Sequence, residues 1–167
     1  MPVNKNNVII KLITAAVLLL SANLASAGPL TDFDGNTASI NDYAGKGKWL
    51  VVMFWASDCH ICNKEAHQYV ALHKRNKDDG NTQVLGVSTD GLSNKAVAQG
   101  FIDEHKLNFP NLIGTLDNVG AMYYDMIGEH WVGTPTILIY SPEGKIRAAQ
   151  AGAVPSEIIE DFIQENS

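Results

Sequence analysis

Residues 49–62 are Trp49-Leu-Val-Val-Met-Phe-Trp55 followed at once by Ala56-Ser-Asp-Cys-His-Ile-Cys62. The first seven are apolar and rich in β-branched and aromatic side chains, which is typical of a strand buried on both faces of a parallel or mixed sheet. A helical pattern follows over residues 59–77, and Thr82-Gln-Val-Leu-Gly-Val-Ser88 has the composition of a second strand. This order predicts two parallel strands joined by a crossover helix.

Further elements are expected on both sides of this unit, and together they indicate one α/β domain. The turn residues Asp34-Gly35-Asn36 favour an opening hairpin, and Ser141-Pro142-Glu143-Gly144 favours a second one. The remaining predictions are a helix capped by Ser93 or Asn94 and running to residue 106, a helix over 119–126, hairpin strands over 136–140 and 145–149, and a last helix from about 155 with Ile158, Ile159, Phe162 and Ile163 on one face.

Composition narrows the possible partners. The 167 residues are 46% hydrophobic and 18% charged, which fits one globular domain with a sizeable core. The net charge is −6, and the first 27 residues hold two of the 12 basic and none of the 18 acidic side chains. An acidic domain without a basic patch argues against binding to nucleic acid or to an anionic membrane surface.

The amino-terminal segment has the pattern of an export signal. Lys5 and Lys11 form a positive n-region before an apolar stretch over 12–20, and Ala25-Ser26-Ala27 is a small-x-small cleavage site. We therefore expect a signal peptide over residues 1–27, a mature domain over 28–167, and an oxidising compartment such as a bacterial periplasm. An uncleaved membrane anchor is the alternative.

The two cysteines, Cys59 and Cys62, lie where the buried strand gives way to a helix. Two cysteines are too few for a disulfide-rich scaffold or a four-cysteine metal site. A bridge between them closes so short a loop that it stabilises the fold by well under about 3 kcal/mol. A helix amino terminus stabilises a thiolate. We therefore predict a redox pair in which Cys59 attacks and Cys62, one turn further on, resolves the mixed disulfide.

The segment from Phe54 to Glu65 resembles the active-site segment of the thioredoxin superfamily, and most closely that of exported TlpA/ResA-type thiol–disulfide oxidoreductases. Gly133-Thr134-Pro135-Thr136 resembles the cis-proline loop of the same superfamily. The resemblance spans residues 28–167. It implies a thioredoxin-like fold, with a central mixed β-sheet flanked by helices and an inserted helical section before the cis-proline hairpin.

The resemblance also implies roles for individual residues. Trp55, Thr134 and Pro135 would contact the client chain. Glu65 would exchange a proton with Cys62, since the two lie three residues apart on one helix face and the apolar Met53 replaces the buried aspartate of many thioredoxins. The alternative for Glu65 is a solvated surface position.

Some residues depart from the family pattern. Asp58 stands where the family usually has tryptophan, and its charge disfavours a thiolate at Cys59, whereas a protonated His60 favours it. His67 replaces the proline that usually kinks this helix. These departures mean that the family's client preference and the reduction potential of the pair do not carry over to this sequence.

Two other functions compete with disulfide exchange. Cys59, Cys62, His60 and His67 contain the ligand types of a copper-binding chaperone. A peroxiredoxin-type thiol peroxidase would need an arginine beside its cysteine, whereas the only arginines, Arg75 and Arg147, do not adjoin Cys59 in sequence. His73, His105 and His130 are expected to be ordinary surface or helix-end residues. Trp131, close to Thr134 in the chain, is expected either in a client groove or in the core.

The sequence thus predicts a periplasmic thiol–disulfide oxidoreductase, active as a monomer without organic cofactor or metal. Its partners would be disulfide-bearing client proteins and an upstream thiol donor, with no nucleic acid, and with a membrane only if the amino-terminal segment stays attached. An oxidising direction is the main alternative within the same fold.

Overall fold

The computed structural model describes residues 30–76 and 80–167. The predicted signal segment and residues 28–29 lie outside these ranges. The elements in chain order are β1 (Leu30–Asp32), β2 (Thr37–Ala38), a 3-10 turn (Ile40–Asp42), β3 (Trp49–Trp55), α1 (His60–Asn76), β4 (Thr82–Ser88), a 3-10 turn (Leu92–Asn94), α2 (Lys95–His105), β5 (Asn111–Ile113), α3 (Leu116–Ile127), β6 (Thr136–Tyr140), β7 (Ile146–Ala151) and α4 (Ser156–Glu165).

All seven strands form one mixed sheet in the order β2-β1-β5-β4-β3-β6-β7. β3 pairs in parallel with β4, and β4 pairs in parallel with β5. β6 runs antiparallel to β3 and is followed by the antiparallel edge strand β7. This is the thioredoxin-like α/β fold expected from the sequence, and the apolar run that begins at Trp49 is an interior strand of the sheet, between β4 and β6.

Both faces of β3 are covered, which explains why its apolar run is uninterrupted. Alternate side chains point to opposite faces of a strand. Trp49, Val51, Met53 and Trp55 join a core cluster with α1, α2 and α4, whereas Leu50, Val52 and Phe54 join a second cluster with β1 and α3. Each fully buried large apolar side chain contributes about 1.5–3 kcal/mol to stability. The two clusters thereby hold β3 firmly, with its carboxyl end pointing towards Cys59.

The structure confirms most of the predicted elements and corrects two. The section between β4 and β6 is not purely helical, because β5 lies within it and joins the sheet between β1 and β4. Its three residues follow Pro110 and are too few to show an alternating pattern. In α4, Ile159 and Ile163 are buried, but Ile158 is 57% exposed and does not belong to the packed face.

Within the described residues, no helix is long and apolar enough to cross a membrane.

Gly86 leaves space on one face of the sheet, near the carboxyl end of β3, for the side chains of Trp55 and Asn111 to meet. It pairs with Met53 on one side and with Asn111 on the other. A Cβ at Gly86 would collide with the Asn111 side chain and lie 2.8 Å from Trp55 Nε1. The glycine therefore leaves room for Trp55 Nε1 to donate a hydrogen bond to Asn111 Oδ1 at 3.1 Å.

Replacing Gly86 by Ala should lower the free energy of unfolding by about 1–3 kcal/mol, because the added methyl overpacks this contact. Gly100→Ala is the matched control. Gly100 lies inside α2, and a Cβ added there would have no atom within 4 Å, so alanine should stabilise the helix by about 0.5–1 kcal/mol. Urea unfolding of both variants measures the difference. Equal stabilities for the two would contradict the packing account.

Candidate active site

The cysteine pair lies at the junction of β3 and α1, with Cys59 in the connecting turn and Cys62 in the first turn of the helix. Cys59 immediately precedes the first residue of α1, and its backbone N–H donates to the Ala56 carbonyl at 3.2 Å. Cys59 and Cys62 are joined by a disulfide, with their Cα atoms 5.2 Å apart. Cys59 is partly exposed, whereas Cys62 is 0% exposed and belongs to the core. An incoming sulfur can therefore reach Cys59 but not Cys62.

The backbone of α1 points a donor at the outer sulfur. The Cys62 N–H donates to Cys59 Sγ at 3.1 Å. The first N–H groups of a helix have no partner within the helix, and they carry the positive end of its dipole. The same amide that contacts the sulfur in the disulfide is thus in place to stabilise a thiolate at Cys59 after reduction.

The Thr134–Pro135 loop lies beside the pair because of the pairing between β3 and β6. Phe54 is opposite Thr136 in that antiparallel register, which brings the residue before Thr136 next to the carboxyl end of β3. The Thr134–Pro135 bond is cis, as the resemblance implied. Pro135 is buried and Thr134 is partly exposed.

Trp131 supports this loop from the core side. Its Nε1 donates to Thr136 Oγ1 at 3.1 Å, and the Thr136 hydroxyl donates to the Gly133 carbonyl. The indole packs against the cluster that contains Val119 and Tyr123 of α3. Of the two roles considered for Trp131, the structure thus supports packing that holds the loop.

Asp90 ties the turn before Cys59 to the end of β4, and it was not among the residues predicted from the sequence. Its carboxylate accepts from the Ser57 N–H at 3.1 and 3.2 Å, from the Ser57 hydroxyl at 2.7 Å and from the Ser88 hydroxyl at 2.7 Å. The only signal in the sequence is its position two residues after a strand whose carboxyl end lies at the same sheet edge as Cys59.

Comparison with known proteins agrees with this geometry. The profile of the AhpC/TSA family matches residues 23–149, more than half of the chain. The chain belongs to the AhpC/TSA family. Among curated proteins of this kind, the thiol-disulfide oxidoreductase ResA of Oceanobacillus iheyensis is 29% identical over 80% of the chain, and ResA of Bacillus subtilis is 27% identical over 80%. The alignments cover 64% and 69% of those two proteins.

A solved structure gives the same result at the level of the fold. The thioredoxin domain of a thiol-disulfide oxidoreductase from Bacteroides vulgatus superposes with a TM-score of 0.66 at 28% identity, covering 82% of this chain and 90% of that one. The resemblance to ResA-type proteins is thus confirmed. The described residues form a thiol–disulfide oxidoreductase domain of the AhpC/TSA family, with Cys59 and Cys62 as its CxxC pair.

Trp55 does not lie where the resemblance implied. It is 0% exposed, donates to Asn111 and stacks on Phe101 with ring centroids 4.3 Å apart. A side chain with no exposed surface has none to offer a client, so the expected contact is corrected to a supporting position beneath the pair. Trp55 ends an apolar strand, and nothing in the local sequence distinguishes a buried indole there from an exposed one.

The charged residues predicted around the pair lie at different depths. Asp58 and His60 are exposed, one on each side of Cys59 in the chain. Glu65 is partly buried, and its carboxylate accepts from Gln68 Nε2 at 2.8 Å. The Gln68 Oε1 in turn accepts from the Ser156 N–H at 3.0 Å, at the start of α4. Burial, and secondly the negative charge of Glu65, raise the pKa of Tyr69 on the same helix. Glu65 is thus a hydrogen-bonded group at a helix contact and not a fully solvated one.

The three scattered histidines differ from one another. His130 is exposed and stacks on Tyr124, as a surface residue would. His73 is partly buried, and its Nδ1 accepts from the Val84 N–H at 3.2 Å, so it joins α1 to β4. His105 ends α2 as predicted, but it also contacts α1 through Asn63.

The geometry gives no support to the two competing functions. Across residues 30–76 and 80–167, no three histidine, cysteine or acidic side chains are grouped so that they could hold a metal ion. Arg75 lies in the last turn of α1, at the opposite end from Cys59, and forms an ion pair with Glu160 at 2.9 Å. Arg147 lies on the edge strand β7 near Asn166. Neither arginine adjoins Cys59 as a peroxidase would need.

Proposed function

We propose that this protein is exported and reduces disulfides in client proteins. The observation that carries the proposal is the unequal access of the two sulfurs: Cys59 is partly exposed at the helix start and beside the Thr134–Pro135 loop, whereas Cys62 is buried beneath it. Only one sulfur can begin the exchange, and only the other can finish it from within the protein.

The proposed cycle has two thiol–disulfide exchange steps, followed by reduction of the Cys59–Cys62 disulfide. The Cys59 thiolate attacks one sulfur of a client disulfide, and the second client sulfur leaves and takes up a proton. Cys62 then loses its proton and attacks Cys59 Sγ, which releases the first client sulfur as a thiol. The client has gained two electrons and two protons, and Cys59–Cys62 has become a disulfide. A thiol donor returns the pair to the dithiol by the reverse chemistry.

The client would lie along the end of the sheet at which Thr134 precedes β6. By analogy with the family, the Thr134 backbone would pair with an extended client segment next to Pro135. Two exposed apolar side chains lie next to the two parts of the site in the chain: Ile61, 46% exposed, between the cysteines, and Val132, 80% exposed, two residues before Thr134. An apolar surface of this kind supports contact with an extended or partly unfolded client.

In the second exchange step, the Glu65 carboxylate would accept the proton that Cys62 must lose. The carboxylate is one helical turn after Cys62 on the same side of α1, and its hydrogen bond to Gln68 restricts its position. Asp58, through its negative charge, and His60, when it is protonated, would modulate the thiolate in opposite directions.

The compartment follows from the predicted signal peptide over residues 1–27, with residues 28–167 as the mature domain. We infer that the domain acts as a monomer in an oxidising compartment, without organic cofactor or metal, and that an upstream thiol donor supplies electrons there. Relatives named ResA are thiol-disulfide oxidoreductases, which supports this type of chemistry.

Replacing Cys62 by Ser should trap clients as mixed disulfides with Cys59, because the resolving sulfur is gone. Cys59→Ser should trap none, since Cys62 is buried. Non-reducing gels of whole cells, followed by reduction and identification of the released proteins, measure the effect. Trapping that survives in the Cys59→Ser variant would contradict the assignment of roles.

The reduction potential of the pair tests the direction of electron flow. Equilibration with glutathione buffers should give a value near the thioredoxin level of about −270 mV if the domain reduces clients. A value near about −120 mV would identify a disulfide donor instead. The same titration on a Cys59→Ser, Cys62→Ser double variant is the control and should show no transition.

Replacing Glu65 by Gln should slow release of the client from the mixed disulfide at least about tenfold near neutral pH, since the proton of Cys62 loses its acceptor. The first step, attack by Cys59, should keep its rate. Stopped-flow thiol exchange with a model disulfide separates the two steps. Glu157→Gln, at the exposed start of α4, is the control. Equal rates for Glu65→Gln and the control would exclude the proton-transfer role.

A further inference from the structure

A chain of two side-chain contacts links the end of α2 to the turn that holds Cys59. His105 Nε2 lies 2.9 Å from Asn63 Oδ1. Asn63 Nδ2 donates to the Cys59 carbonyl at 2.9 Å and to the Ser57 carbonyl at 3.2 Å. The Asn63 backbone N–H also donates to the Cys59 carbonyl, at 3.1 Å. One asparagine therefore connects Ser57 and Cys59 to the first turn of α1.

The direction of each hydrogen bond follows from the partners. Only a donor can face the carbonyl oxygens of Ser57 and Cys59, so the amide nitrogen of Asn63 must point to them. The amide oxygen then faces His105, and Nε2 must carry the proton that it accepts. The opposite amide orientation would place the Asn63 oxygen against two carbonyl oxygens. The two carbonyls thus set the orientation of the amide, and the donor from His105 completes the hydrogen bonds of the orientation that holds the turn.

His105 is itself held in place by the aromatic layer under the site. Its ring centroid lies 4.4 Å from that of Phe101, and Phe101 stacks on Trp55 at 4.3 Å. α2 ends immediately afterwards, because Lys106 has a left-handed backbone conformation with φ 52°. His105 is therefore fixed in position by its own helix and by Phe101.

We propose that His105 is a positioning residue for the redox pair, acting through Asn63 to hold the Ser57–Cys59 turn against the first turn of α1. This inference rests on the proposed disulfide exchange at Cys59. It differs from the roles given to Asp58 and His60, because His105 acts through a fixed donor and not through its charge.

The contact between His105 and Asn63 contributes most to the position of the turn when the cysteines are reduced. In the oxidised form the Cys59–Cys62 bond itself joins the turn to α1. Reduction breaks that bond, and the turn is then held by Asn63 and by Asp90. A loosened turn carries Cys59 Sγ away from the Cys62 N–H that stabilises its thiolate. Losing the His105 donor should therefore destabilise the reduced form more than the oxidised form and make the pair more reducing.

The test compares variants of the full chain that separate the ring of His105 from its donor. His105→Phe keeps an aromatic ring on Phe101 but removes the donor, His105→Gln restores an amide N–H, and Asn63→Ala removes the bridging group without changing α2. His67→Phe is the control, since it removes an exposed imidazole from α1 itself. Two quantities are measured for each: the equilibrium constant with glutathione, and the pH profile of the alkylation rate of Cys59 in the dithiol form.

His105→Phe and Asn63→Ala should each shift the equilibrium with glutathione about threefold towards the protein disulfide, which equals about 14 mV. Both should also move the alkylation profile to higher pH. His105→Gln and His67→Phe should match the wild type in both measurements. Rescue by glutamine distinguishes a positioning contact from an effect of ring packing or of charge.

The inference is overturned if His105→Phe matches the wild type, if His105→Gln shifts as far as His105→Phe, or if Asn63→Ala has no effect. The proposed function fails in a different way, through a wild-type pair that does not equilibrate with glutathione. In that case the alkylation profile still decides the role of His105, because it needs only the two thiols.

Discussion

The antiparallel register between β3 and β6 is the constraint on which the site depends. Phe54 lies opposite Thr136, so the carboxyl end of one buried strand and the amino end of another meet at one sheet edge. The first leads to Cys59 and the second is preceded by Pro135. A slip of one residue would turn every side chain of β6 to the opposite face. The apolar faces of β3 and β6 therefore position the cysteines and the cis-proline loop together, although neither strand contributes a reacting atom.

The sheet holds β3 only as far as Trp55, and polar contacts position the turn beyond it. Asp90 accepts from Ser57 on one side, and Asn63 donates to Ser57 and Cys59 on the other. Each such hydrogen bond contributes only about 0.5–1.5 kcal/mol to stability, so these contacts add little to the fold as a whole. They act on few atoms, however, and those atoms set the distance between Cys59 Sγ and the Cys62 N–H. Small energies suffice here because the two clusters have already fixed both ends of the turn.

The sequence contained the local features of this arrangement but not the long-range ones. The apolar runs identified β3 and β4 with their bounds, because burial on both faces leaves a continuous pattern. The spacing of Cys59 and Cys62 at a helix start indicated a redox pair, because the short loop and the helix amino terminus can both be recognised in the local sequence. β5 was missed since three residues carry no period. The contacts of Asp90 and His105 were missed for a different reason: they meet Ser57 and Asn63 across 33 and 42 residues of chain, and only the folded chain brings them together.

The charges near Cys59 bear on the direction of electron flow. The helix start and the Cys62 N–H favour a thiolate, and any group that stabilises the thiolate makes the pair more oxidising. Two carboxylates oppose them. Asp58 is exposed, so water and salt screen its charge. Asp90 is partly buried and contacts the Ser57 N–H two residues before Cys59, where screening is weaker. A negative charge fixed at that position disfavours a second one on the sulfur. The charge of Asp90 therefore favours the reducing side, whereas its anchoring of the turn keeps Cys59 Sγ near the Cys62 N–H and favours the thiolate, so one residue acts on the reduction potential in two opposite ways.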